Sequence, residues 1–316
     1  MLGSLWVLVG LVLLVAGGEL LVRGASGLAT AWRMPQAVVG LTVVAIGTSM
    51  PELVVSVLAA WRGDAGVAVG NVVGSNVFNI AAILGLVALV SPIAVRAAVF
   101  RLEWPVAFGS AVLLWLLCRD GRIDLLEGAV LVGIIVAFLA LLALMPGPTA
   151  EVVVEPLPTL SLGKVGAAAW VLNSGGVLLG IGLLAGGADA FVRGAVELAT
   201  LAGVSSTVIG LTVVSVGTSL PELVASLAAV RQRNHEVAVG NVLGSNIFNA
   251  LGIVGVTALV APLPVEPELV ARDLPLMVGV TAVLLPILWT SRQVSRVEGG
   301  LLLVGYVAYV IVLIWS

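Results

Sequence analysis

Residues 40–56 read GLTVVAIGTSMPELVVS and residues 210–226 read GLTVVSVGTSLPELVAS, a recurrence at a spacing of 170 (210 − 40). The same spacing joins AVGNVVGSNVFN at 68–79 to AVGNVLGSNIFN at 238–249. Each copy sets a Pro-Glu inside an apolar run, then returns with Gly-Ser-Asn and an Asn four residues after the Ser. An ionisable residue at the centre of a membrane helix costs about 2.5–3.5 kcal/mol on insertion scales. Any fold for this chain must therefore account for Glu52 and Glu222, each placed near the middle of a run otherwise suited to a bilayer.

The rest of the chain belongs in a bilayer too. Hydrophobic residues make up 60% and charged residues only 10%, against roughly 25% charged in soluble domains. The reading is an all-α polytopic membrane protein with one membrane domain. A net charge of −3 implies no nucleic-acid partner. Cys118 is the sole cysteine, which excludes an intrachain disulfide, and His235 is the sole histidine, which excludes a His-based metal site or catalytic triad. No nucleophile and base stand at a catalytic spacing, so the chain is not read as an enzyme and needs no cofactor. The first apolar run lacks a basic start and a small-residue cleavage site, and reads as a retained helix.

About 20 apolar residues cross a bilayer as a helix. That rule gives ten spans, at 3–22, 37–61, 66–90, 98–117, 124–145, 164–187, 207–230, 237–260, 270–289 and 299–315. Residues 1–145 hold five, residues 164–316 hold five, and the proline-rich segment 146–163 links the halves. The repeat runs past the two motifs without a gap: Gly17, Glu19, Arg23 and Gly24 match Gly187, Asp189, Arg193 and Gly194, and Pro92 and Pro105 match Pro262 and Pro275. Five is odd, so the copies have opposite orientations. Inverted repeats of this kind build secondary transporters, with the site at the midplane.

Lys and Arg fix the orientation. Arg23, Arg33, Arg96, Arg101, Lys164, Arg231, Arg233, Arg292 and Arg296 fall on one side, nine in all; Arg62, Arg119, Arg122, Arg193 and Arg272 fall on the other, five in all. The richer side is cytoplasmic under the positive-inside rule. The linker is then inside, both termini are extracytoplasmic, and the location is the plasma membrane.

Spans one and six are glycine-rich, with Gly10, Gly17, Gly18 and Gly24 in one and Gly175, Gly176, Gly180, Gly182, Gly186 and Gly187 in the other. Small residues allow close helix packing, and they also make a smooth surface along which helices move. Glu19 and Asp189 each precede an Arg by four positions, the favourable order for an ion pair on a helix.

Pro51 and Pro221 lack an N–H and push the preceding residue out of helical geometry. Each span should break there, freeing carbonyls, which are hard oxygen ligands. The competing reading is that Ser49-x-x-Glu52 and Ser219-x-x-Glu222 are capping boxes. A Ser or a Gln could cap without placing a carboxylate at mid-depth, however. Thr48 and Glu52, Ser75 and Asn79, Thr218 and Glu222, and Ser245 and Asn249 each share a face by their spacing of four. Folding one half onto the other would gather eight oxygen-bearing side chains. Six to eight oxygens with carboxylates among them describe a calcium site, and sodium accepts the same ligands; zinc and copper want softer ones. Asn71, Asn76, Asn241 and Asn246 flank the site and read as caps and interhelical hydrogen bonds, or as support for the ligands.

The paired Gly-Thr-Ser-x-Pro-Glu-Leu and Gly-Asn-x-x-Gly-Ser-Asn-x-Phe-Asn motifs resemble the alpha repeats of the sodium/calcium exchanger family, prokaryotic type, within the cation/calcium antiporter superfamily. The resemblance covers nearly the whole chain. It implies ten helices, four clustered ion sites and alternating access by sliding of spans one and six. Carried onto this sequence, it makes Glu52 and Glu222 the calcium-binding carboxylates, with oxygens added by Thr48, Thr218, Ser75 and Ser245. Ala45 and Ser215 would offer backbone carbonyls to sodium, Ser49 and Ser219 would help bind it, and Asn79 and Asn249 would complete the centre. Many family members carry an Asp at one of the last two positions. This chain has Asn at both, so two carboxylates balance one Ca²⁺, two Na⁺ or two H⁺.

The expected activity is therefore secondary antiport of Ca²⁺ against Na⁺ across the membrane, for which a single chain suffices. The rival is a Ca²⁺/H⁺ antiporter in which Glu52 and Glu222 take up protons in turn. A cation channel could use the same acidic centre, but paired helix breaks in an inverted repeat favour alternating access.

Overall fold

The computed structural model describes residues 2–32, 36–61, 65–96, 99–144, 167–201 and 215–315. Nearly all of them are helical, so the all-α expectation holds. Among the described residues, eight helices are long and apolar enough to cross a membrane, and the bent pair Ala37–Thr48 and Met50–Trp61 makes a ninth span. The span expected at 207–230 begins outside the described residues; its second half appears as Ser215–Thr218 and Leu220–Arg231. The linker 146–163 also lies outside them.

Spans one and six are longer than the hydropathy rule suggests. They run over Leu2–Trp32 and Ala167–Leu201, 31 and 35 residues. At 1.5 Å per residue that is about 47 and 52 Å, against roughly 30 Å of hydrocarbon. Arg23 and Arg193 are therefore helix residues. Each pairs with the acid one turn earlier, Arg23 with Glu19 at 2.6 Å and Arg193 with Asp189 at 2.9 Å. Taking both out of the loop tally lowers it from nine and five to eight and four, with the same sign.

The chain divides into two compact units, and each draws on both sequence repeats. One comprises Met1–Thr48, Pro146–Asn241 and Ile314–Ser316; the other comprises Ser49–Met145 and Val242–Leu313.

The first unit is built on the antiparallel pair Leu2–Trp32 and Ala167–Leu201. Gly3, Gly10, Gly17 and Gly24 stand seven apart and face Gly194, Gly187, Gly180 and Asn173 in reverse order. A Cβ on Gly10 would meet the Phe191 amide nitrogen at 2.6 Å, and one on Gly180 would meet that of Leu21 at 2.7 Å. Backbone thus lies on backbone along the seam, a contact open only to glycine. In a bilayer, where apolar burial does not drive helices together, close van der Waals contact takes over that role. Asn173 occupies the position of the next glycine, and its side chain lies against Gly27. Gly175, Gly182 and Gly186 face open space. The helix Leu220–Arg231 packs on this pair, with Val224 against Gly18.

The second unit shows the inversion of the repeat directly. Trp104–Leu117 and Leu274–Ser291 are equivalent helices of the two copies. The Trp104 indole donates to the Thr281 carbonyl at 2.8 Å and the Trp115 indole to the Val270 carbonyl at 3.3 Å. Position rises along one helix as it falls along the other, so the mates run antiparallel. Two short ladders also join copy to copy: Ile93–Ala94 pairs with Gln293–Val294, and Arg122–Ile123 with Leu263–Pro264, both antiparallel. They satisfy the backbone of loops whose Ile93, Ile123, Leu263 and Val294 side chains are fully buried.

Capping boxes do occur in this unit. Asp124 and Glu127 exchange backbone-to-carboxylate hydrogen bonds at the start of Leu125–Leu144. At the start of Arg296–Trp315 the Ser295 amide donates to the Glu298 carboxylate and the Glu298 amide to the Ser295 hydroxyl.

Candidate cation-binding residues

The break expected at each Pro-Glu is present. Ser49 forms a turn between Ala45–Thr48 and Met50–Trp61, and Ser219 stands between Ser215–Thr218 and Leu220–Arg231. Ser219 has φ −90° and ψ 7° and makes no capping hydrogen bond with its side chain. Its backbone carbonyl accepts from the Leu223 amide at 3.3 Å, as the Ser49 carbonyl accepts from Leu53 at 3.1 Å. The serine hydroxyl at 219 is therefore not used as a cap, unlike the boxes at 124–127 and 295–298. Pro221 carries no N–H to donate to the Gly217 carbonyl one turn earlier.

Glu222 belongs to the first unit, at the start of a helix packed against Ala45–Thr48. Asn241 binds the pieces together. Its Nδ2 donates to the Glu222 carbonyl at 3.1 Å and to the Ser226 hydroxyl at 2.9 Å, while its Oδ1 accepts from the Thr48 hydroxyl at 3.1 Å. Thr48 of the first copy and Glu222 of the second are thereby held by one side chain. The Thr48 hydroxyl also lies 3.2 Å from the Ala45 carbonyl. Ala45, Thr48, Ser219 and Glu222 are fully buried and Thr218 nearly so. Ser215 opens its helix in the same unit.

Glu52 belongs to the second unit, in a helix packed against the segment Phe248–Ile253. Asn71 repeats the role of Asn241, donating to the Glu52 carbonyl at 3.4 Å and to the Ser56 hydroxyl at 3.1 Å. Ser49, Ser75, Asn79, Ser245 and Asn249 lie in this unit and are buried with Glu52.

Asn79 and Asn249 each stand second in a π-helical segment, Phe78–Leu84 and Phe248–Ile253. Single π turns inside helices collect at functional sites. The Asn79 Nδ2 donates to Asn246 Oδ1 at 3.0 Å, and the Asn249 Nδ2 to Asn76 Oδ1 at 3.1 Å. Among the described residues, neither Asn79 Oδ1 nor Asn249 Oδ1 has a hydrogen-bond partner, although both residues are fully buried. Each therefore holds a neutral oxygen acceptor unused.

Two further buried carboxylates escape a reading based on the paired motifs. Glu103 and Asp273 match at the repeat spacing, each directly before a helix with proline at its second position. Asp273 is bound by Arg272 at 3.0 Å and by the Tyr309 hydroxyl at 3.1 Å, a self-contained structural cluster. The signal that could have found them is the matched Pro105 and Pro275 two positions on.

The chain matches the family described as sodium/calcium exchanger protein over residues 2–144 and 172–315, most of each half. The chain belongs to that family. Sodium/calcium exchanger MaX1 of Methanosarcina acetivorans is 33% identical over 98% of this chain and 97% of its own length. Inner membrane protein YrbG of Escherichia coli is 33% identical over 100% and 98%. Among solved structures, the sodium-calcium exchanger NCX_Mj soaked with Na⁺ and Ca²⁺ is similar at 31% identity and a TM-score of 0.83, covering 98% of both chains. As a family member this chain is a multi-pass membrane antiporter of the cation/calcium class and not an enzyme.

Proposed function

We propose that the chain exchanges Ca²⁺ for Na⁺ by alternating access, moving Ca²⁺ out of the cytoplasm as Na⁺ enters. The observation that carries this reading is a pair of fully buried carboxylates, Glu52 and Glu222, at equivalent helix starts among neutral oxygen groups. Burying a carboxylate is costly unless a cation or hydrogen bonds compensate its charge. Hard oxygens without thiol or imidazole suit Na⁺ and Ca²⁺. MaX1 and NCX_Mj are both named as sodium/calcium exchangers, which supports sodium as the counter-ion.

In this reading the ion ligands are Glu52, Glu222, Asn79, Asn249, Thr48, Thr218, Ser75, Ser245, Ser49 and Ser219, with the backbone carbonyls of Ala45 and Ser215. The sequence halves 1–145 and 164–316 are the inverted repeats, and the linker 146–163 is cytoplasmic. A cysteine introduced at Thr149 in a Cys118→Ser background tests that side. It should resist an impermeant thiol reagent applied outside intact cells, and labelling from outside would reverse the orientation.

The function is tested by ⁴⁵Ca²⁺ uptake into proteoliposomes under separate sodium and pH gradients. An outward sodium gradient should drive uptake and a pH gradient alone should not. Uptake driven only by the pH gradient would replace Na⁺ with H⁺ as the counter-ion.

A further inference from the structure

We infer that Asn76 and Asn246 are positioning residues that decide which end of the Asn79 and Asn249 amides is offered to a cation. The inference rests on the antiport reading and adds the source of selectivity at two of its ligands.

An amide has an accepting end and a donating end, and only the accepting end attracts a cation. The two look alike in shape, so the surrounding hydrogen bonds determine the orientation. The backbone sets the orientation first. The Asn246 carbonyl can only accept, and it lies 3.2 Å from Asn76 Nδ2; the Asn76 carbonyl lies 3.1 Å from Asn246 Nδ2. These two bonds fix both amides, with Asn76 Nδ2 also 3.6 Å from Met277 Sδ. Asn76 must then turn Oδ1 the other way, where it receives Asn249 Nδ2 at 3.1 Å. Asn246 Oδ1 likewise receives Asn79 Nδ2 at 3.0 Å. The donating ends of Asn79 and Asn249 are thus turned to Asn246 and Asn76, which leaves their oxygens buried and, among the described residues, without a hydrogen-bond partner. Asn76 and Asn246 touch no ion in this account. They act through their neighbours, as outer groups orient metal ligands elsewhere.

The test is a double-mutant cycle on ⁴⁵Ca²⁺ binding by the purified protein. Asn76→Leu removes the acceptor that holds Asn249, so the amide can present either end. The half-saturating Ca²⁺ concentration should rise about 10- to 100-fold, the usual cost of losing an outer-shell partner. Asn249→Asp has two equivalent oxygens and needs no orienting. Its benefit should therefore be at least about tenfold larger in the Asn76→Leu background than in the parent, since contacting residues couple. In the parent background the new carboxylate faces Asn76 Oδ1, which limits its gain. Equal gains in both backgrounds would overturn the positioning role.

The mirror cycle, Asn246→Leu with Asn79→Asp, repeats the test should the first variant fail to fold. If neither leucine variant folds, side-chain amide hydrogen exchange in ¹⁵N-asparagine-labelled parent protein decides. The Asn79 and Asn249 amide protons should stay protected with and without Ca²⁺, and loss of protection on adding Ca²⁺ would overturn the inference. A parent that binds no Ca²⁺ would instead refute the antiport reading itself.

Discussion

In one unit the helices Leu2–Trp32 and Ala167–Leu201 meet through a glycine at every seventh residue; in the other, the segments around Asn76 and Asn246 meet through four side-chain amides. Both contacts join a stretch of the first repeat to its mate in the second. The glycine seam brings backbones close and specifies distance. It carries no side-chain hydrogen bond along Gly10, Gly17, Gly180 and Gly187, because those residues have none to offer. The asparagine lattice specifies orientation down to which atom of an amide is left over. Each unit nonetheless treats its carboxylate alike. An asparagine nineteen residues on, Asn71 or Asn241, grips the backbone of Glu52 or Glu222 and a serine one turn further.

The largest effect should come from that shared feature. Glu52→Gln or Glu222→Gln keeps the size and removes one of the two negative charges proposed to balance a dication. Stripping one partner from a buried ionic set costs about 3–5 kcal/mol, over a hundredfold in affinity. Either variant alone should abolish calcium exchange in reconstituted vesicles while eluting as a folded protein. Loss in only one variant would break the equivalence of the two units.

A smaller effect separates the seam from its surroundings. Gly17→Leu would drive a Cβ to 2.8 Å from the Leu184 amide nitrogen and 2.9 Å from the Gly180 carbonyl, whereas a Cβ at Gly182 meets nothing within 4 Å. Overpacking costs about 1–3 kcal/mol. Thermal melts in detergent should fall for Gly17→Leu and stay at the parent value for Gly182→Leu. Equal melts would mean that the glycines do not hold the pair together.

The smallest effect sharpens the reading of the helix starts. Ser295→Ala removes a true cap and should cost about 1 kcal/mol, with calcium binding unchanged. Ser219→Ala removes no cap and should weaken sodium binding instead. If Ser219→Ala leaves sodium affinity as it was, the hydroxyl is not a ligand.

Much of this architecture is legible in the residues. Hydropathy and the 170-residue recurrence mark the membrane helices, and Pro51 and Pro221 mark where two of them break. The spacing of four marks the pairs Glu19–Arg23 and Asp189–Arg193. Other features depend on contacts between distant segments. The full length of Ala167–Leu201 exceeds what a 20-residue window reports, because polar residues such as Asp189 and Arg193 lower the hydropathy without ending the helix. The seven-residue glycine spacing was visible, but its meaning needed the antiparallel partner. No local pattern announces the π segments at Phe78 and Phe248, since the same residues suit an ordinary α-helix. Ser219-x-x-Glu222 and Ser295-x-x-Glu298 carry one signature, and only surroundings decide that the second is a cap. The direction of the Asn79 amide is set by Asn246, 167 positions away.

The central claim, that Glu52 and Glu222 are the charged ligands of a sodium-competed calcium site, is tested most directly by equilibrium ⁴⁵Ca²⁺ binding to the purified protein during a sodium titration. The parent should bind Ca²⁺ and release it as sodium rises, while Glu52→Gln and Glu222→Gln should each fail to bind it. Calcium binding that is indifferent to sodium, or that survives both substitutions, would contradict the claim.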